Sequence, residues 1–360
     1  MKKIVYVVES FAGGVYSFLA DLCNSLVDEY EIVIIHSLRP DTPKNFEKDF
    51  NPKIRFIYIQ MNRGLDIFKD IKALLMLKRI LNIENPQLIH LHSSKAGFLG
   101  RLASFTNGFN MEKVLYNPHG FSFLQLNESK IKRRLFFLLE KFASRLGGII
   151  IGCSKGEYSE SIKLCDKSIN IDNGIDINKV DEIVEKIKIE KTNENITIAT
   201  VGRICFAKNP NMFNDIAQHF PHLKFLWIGD GELKHLLTSS NITITGWLNK
   251  EVLYRKLIST DIYLMTSLWE GLPISLLEAM YLNKASIVSN VIGNRDVIEN
   301  YKTGLIANNK VEFIEAINIL LNDLSLKKKI SKNAKIQVTT RFTIQRMIDD
   351  YKKLYLKCLV

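Results

Sequence analysis

The sequence lacks the features of a membrane-spanning or metal-binding protein. Its 360 residues contain no run of about 18 apolar residues, the length that a transmembrane helix needs. The N-terminal apolar run is interrupted by Glu9 and has no small-residue cleavage site, so it predicts a first strand rather than a signal peptide. The five cysteines and seven histidines are scattered without metal-ligand spacing. The odd number and scatter of the cysteines indicate reduced thiols, as in the cytosol.

Several short motifs are also absent. No G-x-G-x-x-G sequence is present, which disfavours a dinucleotide cofactor. No D-x-D sequence of the metal-binding type stands out. The net charge is +11, but the basic residues are spread out and match no nucleic-acid-binding motif, so we expect no nucleic-acid partner. Phosphorylated substrates and anionic lipid remain as partners for this charge.

Short apolar runs alternate with helical patterns through both halves of the chain. This alternation predicts an α/β protein with parallel sheets and helices on both faces. The predicted strands are Ile4–Val8, Ile32–His36, Ile54–Ile59, Leu88–Leu91, Val114–Asn117, Gly148–Gly152, Ile196–Val201, Phe225–Ile228, Ile242–Ile244, Ile262–Met265 and Ala285–Ser289. The predicted helices include Val15–Val27, Ile67–Leu81, Lys250–Ser259, Ile274–Leu282 and Thr343–Leu359. A turn-rich stretch, Ile171–Asp176, and the charged residues up to Asn195 predict a linker between two domains.

Two glutamates, Glu270 and Glu278, lie after the predicted strand Ile262–Met265 and in the helix that follows it. In the turn Gly271-Leu272-Pro273, the proline fits the first turn of that helix, where its missing N–H costs nothing. The free N–H groups of such a turn attract a diphosphate, and nearby carboxylates suit sugar hydroxyls. The turn therefore predicts a sugar-nucleotide site, although two glutamates at this spacing are also common without any chemistry.

Two cations, Arg203 and Lys208, follow the predicted strand Ile196–Val201. The guanidinium fork and the ammonium group both suit diphosphate oxygens. Each charge-assisted hydrogen bond contributes roughly 1.5–3 kcal/mol. The alternative is a loop with two solvated cations.

Gly13 and Gly14 lie between the first predicted strand and the helix Val15–Val27. Their missing Cβ atoms let a phosphate approach the helix N-terminus closely. His119 follows the strand Val114–Asn117, where a neutral imidazole can hydrogen-bond a sugar hydroxyl. The alternatives are an ordinary strand-to-helix turn for the glycine pair and a structural role for the histidine, since the sequence would look the same in either case.

Further candidates follow other predicted strands. His90 and His92 lie at the end of the strand Leu88–Leu91, and one of them is expected to face the interior. The next residues are candidate acceptor contacts: Ser93, Ser94 and Lys95. The turns Gly229–Glu232 and Gly246–Leu248 follow strands of the second half, and Trp247 could cover a nucleobase or merely pack.

The segment Lys130–Arg145 combines six basic residues with aromatic and aliphatic ones, and Glu140 is its single acid. A basic helix with aromatic residues can lie on an anionic membrane surface. The alternative is a core helix with a solvated basic face.

The segment from Ser267 to Met280 resembles the E-x7-E motif of the family-4 retaining glycosyltransferases, with its Gly-Leu-Pro turn and Leu-Glu-Ala-Met helix. The Gly pair, the His-Gly, the Asn-Gly-Ile-Asp linker, the Gly-Arg…Lys and the Gly-Asp-Gly-Glu occur in the family's order. The resemblance therefore covers nearly the whole chain. Two positions depart from the pattern, since Asn209 and Asn294 stand where the family usually or often has glycine.

The resemblance implies the GT-B fold, in which two Rossmann-like doubly wound domains face each other across a cleft and the C-terminal helix crosses back. By this pattern residues 1–172 with 343–360 form the acceptor-side domain, and residues 173–342 form the nucleotide-sugar domain.

The resemblance also implies roles for the candidates. Arg203 and Lys208 would neutralise the diphosphate, Glu278 would bind the ribose, and Glu270 would bind sugar hydroxyls and support the transition state. His119 would position the transferred sugar. The other expected donor contacts are Gly14, Gly229, Trp247, Leu248, Gly271, Leu272 and Pro273. The expected acceptor contacts are Gly13, Ser93, Ser94, Lys95 and His119.

The activity implied is transfer of a hexose or N-acetylhexosamine from a nucleotide sugar, a UDP-sugar, to a lipid-diphosphate-linked acceptor in surface polysaccharide synthesis. We expect no metal and no other cofactor. We expect a cytoplasmic protein, peripheral on the inner face of the cell membrane. The alternatives are a nucleotide-sugar epimerase or phosphorylase of the same fold, and a non-catalytic partner that binds nucleotide or membrane.

Overall fold

The computed structural model describes residues 1–62, 64, 66–187 and 196–360. The chain divides into two compact units. Unit 1 comprises Met1–Leu124, Glu128–Asp172 and Met347–Val360, and unit 2 comprises Gln125–Asn127 and Asn173–Arg346. The charged stretch assigned to the linker includes a helix, described below, and its residues 188–195 lie outside the described residues.

Unit 1 is built on a parallel sheet. Its elements are β1 (Lys2–Val8), α1 (Gly13–Leu26), β2 (Tyr30–His36), β3 (Arg55–Tyr58), α2 (Ile67–Glu84), β4 (Leu88–His92), α3 (Ser94–Thr106), β5 (Val114–Asn117), α4 (Lys130–Arg145), β6 (Ile149–Gly152), α5 (Lys155–Ser161) and β7 (Ser168–Asn170). Among the described residues the strand order is β3-β2-β1-β4-β5-β6-β7. The order reverses between β1 and β4, which is where ligands bind in open sheets of this kind.

Unit 2 has a second parallel sheet. Its elements are α6 (Ile177–Glu185), β8 (Thr197–Val201), α7 (Pro210–His219), β9 (Lys224–Ile228), β10 (Ile242–Ile244), α8 (Lys250–Ile258), β11 (Ile262–Met265), α9 (Ile274–Tyr281), β12 (Ala285–Ser289), α10 (Asn294–Val297), β13 (Leu305–Ala307), α11 (Lys310–Asn322) and α12 (Leu324–Arg341). The described strands follow the order β10-β9-β8-β11-β12-β13, which reverses between β8 and β11. The predicted pair of doubly wound halves is thereby confirmed.

The final helix, α13 (Ile344–Leu359), belongs to unit 1 from Met347 onward. Its apolar side is buried at helical spacing, at Met347, Ile348, Tyr351, Leu354, Tyr355 and Leu359. Full burial of a large apolar side chain contributes roughly 1.5–3 kcal/mol, so this helix is an integral part of the unit 1 core.

A buried hydrogen-bond network joins α13 to the sheet. The two ring nitrogens of His90 lie 2.7 Å from the Tyr355 hydroxyl and 2.6 Å from Asn117 Oδ1. Tyr351 also donates to that oxygen, at 3.1 Å. Because the amide oxygen only accepts, His90 Nε2 carries the proton, and a neutral ring accepts at Nδ1 from Tyr355. Burial lowers the pKa of His90 to about 3, so the neutral ring is the stable form.

Both strand-end histidines are buried, which corrects the expectation that only one faces the interior. His90 and His92 are 0% exposed, and their ring centroids lie 4.2 Å apart. Residues two apart on a strand share a face, and α13 contacts this face through Tyr355.

We predict that acid destabilises unit 1 through His90. The pKa of His90 in the folded state lies below its unfolded value of about 6.5. As the pH falls below 6.5, the unfolded chain therefore binds a proton at His90 that the folded chain does not bind. The free energy of unfolding should then fall by roughly 1 kcal/mol per pH unit for such a group, down to the folded pKa. Urea unfolding of wild type and His90→Gln between pH 7 and pH 5 should show a smaller slope for the variant. The exposed His219→Gln serves as control, and equal slopes for wild type and His90→Gln would contradict the assignment.

Candidate active site

The candidate residues of unit 2 lie at the carboxyl edge of its sheet. The loop Gly202–Asn209 follows β8, and the loop Thr266–Pro273 follows β11. Since β8 and β11 flank the point where the strand order reverses, these loops are neighbours at the usual ligand-binding position. Two hydrogen bonds join them directly: Leu268 N donates to Ala207 O at 2.7 Å, and the Thr266 hydroxyl donates to Lys208 O at 2.9 Å.

Glu270 and Lys208 form an ion pair between the two loops. Glu270 Oε1 accepts from Lys208 Nζ and from Ser267 Oγ, each at 2.6 Å. The Lys208 and Glu270 side chains are 21% and 13% exposed, so the pair is largely shielded from solvent. No hydrogen bond reaches the second oxygen, Oε2, from the part of the chain that the structure describes. The pair can therefore offer both cationic N–H groups and a carboxylate oxygen to one ligand.

Glu278 is held by α8, the preceding helix. Its Oε1 accepts from the Tyr254 hydroxyl at 2.8 Å and pairs with Lys250 Nζ. Glu278 itself is 5% exposed. It is the fifth residue of α9, as predicted, but Pro273 is the N-cap of that helix rather than a residue of its first turn. Tyr254 and Lys250 fix one oxygen of Glu278, and no hydrogen bond among the described residues occupies the other.

The strand ends at this edge approach each other too closely for side chains. A Cβ on Gly229 would lie 2.1 Å from Gly202 O, and Trp227 Nε1 donates to the same oxygen at 2.9 Å. A Cβ on Gly293, at φ +85°, would lie 2.5 Å from Gly271 O and 2.9 Å from Glu270 Cβ. The glycines thus place the loops after β9 and β12 against the loops that carry the candidate residues.

The two asparagines that depart from the family pattern have separate structural reasons. Asn209 has φ +52° and ψ +64°, a left-handed conformation that asparagine tolerates better than most residues other than glycine, and it caps α7. Asn294 is fully buried, and its Nδ2 donates to Ser289 O and Oγ at 3.2 and 3.1 Å. Ser289 Oγ in turn donates to Ser267 O at 2.5 Å. Asn294 therefore fixes the loop beside Glu270 through Ser289.

The remaining donor-side candidates border this group. Arg203 Nε lies 3.9 Å from Glu232 Oε2. The isolated bridge between Gly229 and Gly246 joins the turn after β9 to the one that carries Trp247 and Leu248. Trp247 is 59% exposed, so its ring is available to a planar ligand.

In unit 1 the candidates lie at the carboxyl edge near β1, β4 and β5. Gly13 and Gly14 begin α1, and a Cβ at either position would meet nothing within 4 Å among the described residues. Packing alone therefore does not require glycine at Gly14, where φ is ordinary, while Gly13 has φ +54°. Open space at this turn leaves room for a ligand.

His119 has an unusual backbone, with φ +53°, and lies 3.0 Å from His92 through its Nε2 and the His92 Nδ1. Burial lowers the pKa of His119 to about 4 and the pKa of His92 well below its ordinary value. Both rings are therefore neutral near pH 7, with one donating to the other. The buried Glu157 holds the next turn residue, Gly120, by its N–H at 2.5 Å. The structure presents His119 as a neutral hydrogen-bonding group on a constrained turn.

The serines and the lysine after β4 have intramolecular partners. Lys95 Nζ donates to Asp70 Oδ1 at 2.6 Å and is 10% exposed, so it ties α3 to α2. Ser93 Oγ lies 3.4 Å from Glu9 Oε2, and Ser94 Oγ lies 3.4 Å from Ser122 N. Glu9 also pairs with Arg39. Their role as acceptor contacts stays a prediction.

The sequence missed three residues that support the two glutamates: Ser267, Lys250 and Tyr254. Ser267 lies only three residues before Glu270, so its hydrogen bond to that carboxylate could have been predicted from the local sequence. Lys250 and Tyr254 share a face of α8 at i and i+4 spacing. Their contact with Glu278, more than twenty residues away, is tertiary, so no local pattern predicts it.

Comparison with known proteins finds family matches over most of the chain. Residues 12–179 match the family described as Glycosyltransferase Family 4, and residues 181–337 match Glycosyl transferases group 1. The chain is 31% identical over 329 residues to the UDP-Gal:alpha-D-GlcNAc-diphosphoundecaprenol alpha-1,3-galactosyltransferase of Escherichia coli, covering 83% of this chain and 82% of that protein. It is 26% identical over 339 residues to the capsular polysaccharide biosynthesis glycosyltransferase CapM of Staphylococcus aureus, covering 86% of each.

Solved structures share the fold over nearly the full length. Sucrose-phosphate synthase from Thermosynechococcus elongatus superposes with a TM-score of 0.82 at 16% identity, covering 99% of both chains. Anabaena Alr3699/HepE in complex with UDP and glucose gives a TM-score of 0.78 at 17% identity, covering 99% of this chain and all of that one. The expected GT-B fold is confirmed. Fold, motif order and sequence similarity agree, and the chain belongs to glycosyltransferase family 4, among the glycosyltransferases of capsule and O-antigen synthesis.

Proposed function

We propose that this protein is a retaining glycosyltransferase that moves a hexose or N-acetylhexosamine from a UDP-sugar to a lipid-diphosphate-linked sugar. The observation that carries the proposal is the Lys208–Glu270 pair, at the point in unit 2 where the strand order reverses. The E. coli relative, whose name specifies UDP-galactose and an undecaprenyl-diphosphate-linked GlcNAc, supports galactose as the first sugar to test.

In the proposed reaction, the bond between the sugar C1 and the diphosphate oxygen breaks, and the acceptor hydroxyl oxygen bonds to C1 on the same face. The acceptor proton passes to the departing diphosphate oxygen. Negative charge grows on the diphosphate as the bond breaks, so cations already in position lower the barrier. Lys208, which keeps further N–H donors beside Glu270, and Arg203 take this role.

The carboxylates take the hydroxyl groups of the donor. With Oε1 occupied by Lys208 and Ser267, Glu270 offers Oε2 to a sugar hydroxyl. Glu278 offers its second oxygen to the ribose hydroxyls, while Tyr254 holds the first. Trp247 covers the uracil face, and the neutral imidazole of His119 is a hydrogen-bonding partner for a sugar hydroxyl. Cationic side chains carry the diphosphate charge, so the reaction requires no metal.

The activity is tested with UDP-, GDP- and ADP-sugars, each with and without a GlcNAc-diphosphate-lipid acceptor. One UDP-sugar should release UDP only when acceptor is present, and activity should persist in EDTA. The product from an α-linked donor should carry an α-linkage by proton NMR. Release without acceptor, a β-linked product or interconversion of donor sugars would contradict the proposal, the last in favour of an epimerase.

The role of Glu278 is tested by substituting Glu278 itself and Tyr254, the tyrosine that donates to its carboxylate. Glu278→Gln should raise the donor KM about tenfold or more, because a charge-assisted hydrogen bond contributes roughly 1.5–3 kcal/mol. Tyr254→Phe removes only the hydroxyl on Oε1 and should raise the donor KM several-fold with kcat little changed. Tyr301→Phe, on an exposed tyrosine of the same unit, is the control. Equal kinetics for Tyr254→Phe and Tyr301→Phe would remove the positioning role.

The role of Lys208 is tested by charge removal. Lys208→Met should lower kcat by about 100-fold or more, because it removes a cation aimed at developing charge. Lys302→Met removes an exposed ion-paired lysine, the partner of Glu299, and should leave kcat near wild type. Wild-type turnover in Lys208→Met would overturn the site assignment.

A further inference from the structure

Helix α4 turns a stripe of four large apolar residues outward. Its buried residues are Glu140, Ala143 and Ser144. Glu140 accepts from Arg101 Nη2 at 2.6 Å and from the Tyr116 hydroxyl at 2.7 Å, and these polar contacts anchor the inner side of the helix together with the partly buried Phe136 and Phe137. The outward stripe has steps of four, three and four residues, and its members are 84%, 44%, 53% and 50% exposed: Ile131, Leu135, Leu138 and Phe142. A helix on a globular core normally buries such a stripe.

Helix α2 shows the same arrangement. It packs on the core through Ala73, Leu77 and Leu81. Its outer side carries four large apolar residues that are 74%, 87%, 51% and 61% exposed: Ile67, Phe68, Ile71 and Leu75. Scattered single apolar residues on a surface are ordinary, but a set of four on one helical side indicates a contact surface.

The two stripes lie on one layer of unit 1. Residues of α2 and α3, together with Phe136 and Phe137 of α4, pack against one hydrophobic cluster on the sheet. Helix α3 packs against both α2 and α4. Its Phe98 ring lies 6.5 Å from the Phe142 ring. The outer sides of α2 and α4 together are named the α2–α4 face.

The charges of the α2–α4 face are almost all positive. On α4 the stripe is flanked by Lys130, Arg134, Lys141 and Arg145, and on α2 by Lys72 and Arg79, while Lys69 pairs with Asp66, the N-cap residue of α2. The acids of these helices are engaged in ion pairs: Glu140 with Arg101, Asp70 with Lys95, and Glu84 with Lys3 and Arg55. Exposed apolar side chains with basic residues beside them suit the surface of an anionic bilayer, where the apolar groups can enter the acyl region and the cations can contact the headgroups.

We propose that the α2–α4 face docks unit 1 on an anionic lipid bilayer. Ile67, Phe68 and Ile131, the most exposed of the set, enter the acyl boundary, and the flanking lysines and arginines contact lipid phosphates. A bilayer fits better than a protein partner because the charges of both helices have one sign and suit a surface of the other. Docking requires neither donor nor acceptor, so vesicle binding and transferase activity can fail independently.

Binding is measured by sedimentation with phosphatidylcholine vesicles, with and without phosphatidylglycerol, without donor or acceptor. Wild type should sediment with the anionic vesicles only. The pair Phe68→Ser with Ile131→Ser, and the pair Arg134→Glu with Lys141→Glu, should each lower the vesicle partition coefficient at least about tenfold, since each surface cation and each inserted apolar group adds to binding. These side chains are exposed or half-buried, and circular dichroism verifies that the variants fold.

Matched controls come from unit 2. Val311→Ser with Ile336→Ser removes apolar residues that are 62% and 50% exposed, and Lys328→Glu with Lys329→Glu reverses an exposed lysine pair. Both controls should keep wild-type partition. Equal losses in the controls, equal binding to neutral vesicles, or no binding by wild type would overturn the proposal. A lipid-independent dimer that the Phe68 and Ile131 substitutions abolish would overturn it in favour of a second copy of the chain.

Discussion

The ion pair between Lys208 and Glu270 joins the loops after β8 and β11, and the candidate donor site depends on it. A lysine on a free loop would lose side-chain entropy when a diphosphate bound. Here the ammonium group is already held at 2.6 Å by a carboxylate that is itself fixed by Ser267. Preorganisation of this kind reduces the free-energy cost of binding and keeps the cation in place while charge develops.

Backbone conformation makes this pairing possible. Gly202, Gly229 and Gly293 have positive φ, and so has Asn209, so the chain turns sharply just beyond the strands. At Gly229 and Gly293 a Cβ atom would clash with a backbone oxygen of the neighbouring loop, so the loops approach each other through their backbones. In unit 1 the corresponding edge carries a different chemistry, because burial keeps His92 and His119 neutral. One sheet edge is thus suited to anionic groups and the other to hydroxyl groups.

The sequence predicted most of the strands because buried parallel strands are continuous apolar runs, as in Ile262–Met265, but it missed the short strands β7 and β13. It missed α3, since Gly97 and Gly100 break the helical pattern. Both glycines are required by close packing, as a Cβ would lie 2.2 Å from the Tyr116 ring and 2.3 Å from Leu91. The candidate cations and glutamates were found because they follow strands directly. Their supports on α8 were not, because contact between Tyr254 and Glu278 exists only after folding. The sequence left a membrane-facing helix and a core helix as alternatives for α4, since the helical pattern does not tell which side meets the core.

Hydrogen–deuterium exchange with and without UDP is the most direct test of the central claim, that unit 2 binds the nucleoside diphosphate of a sugar donor at the carboxyl edge of its sheet. The account predicts that UDP slows exchange in the loops Gly202–Asn209 and Thr266–Pro273 and in the first turns of α9. Protection confined to other segments, or exchange that saturating UDP leaves unchanged throughout unit 2, would contradict it.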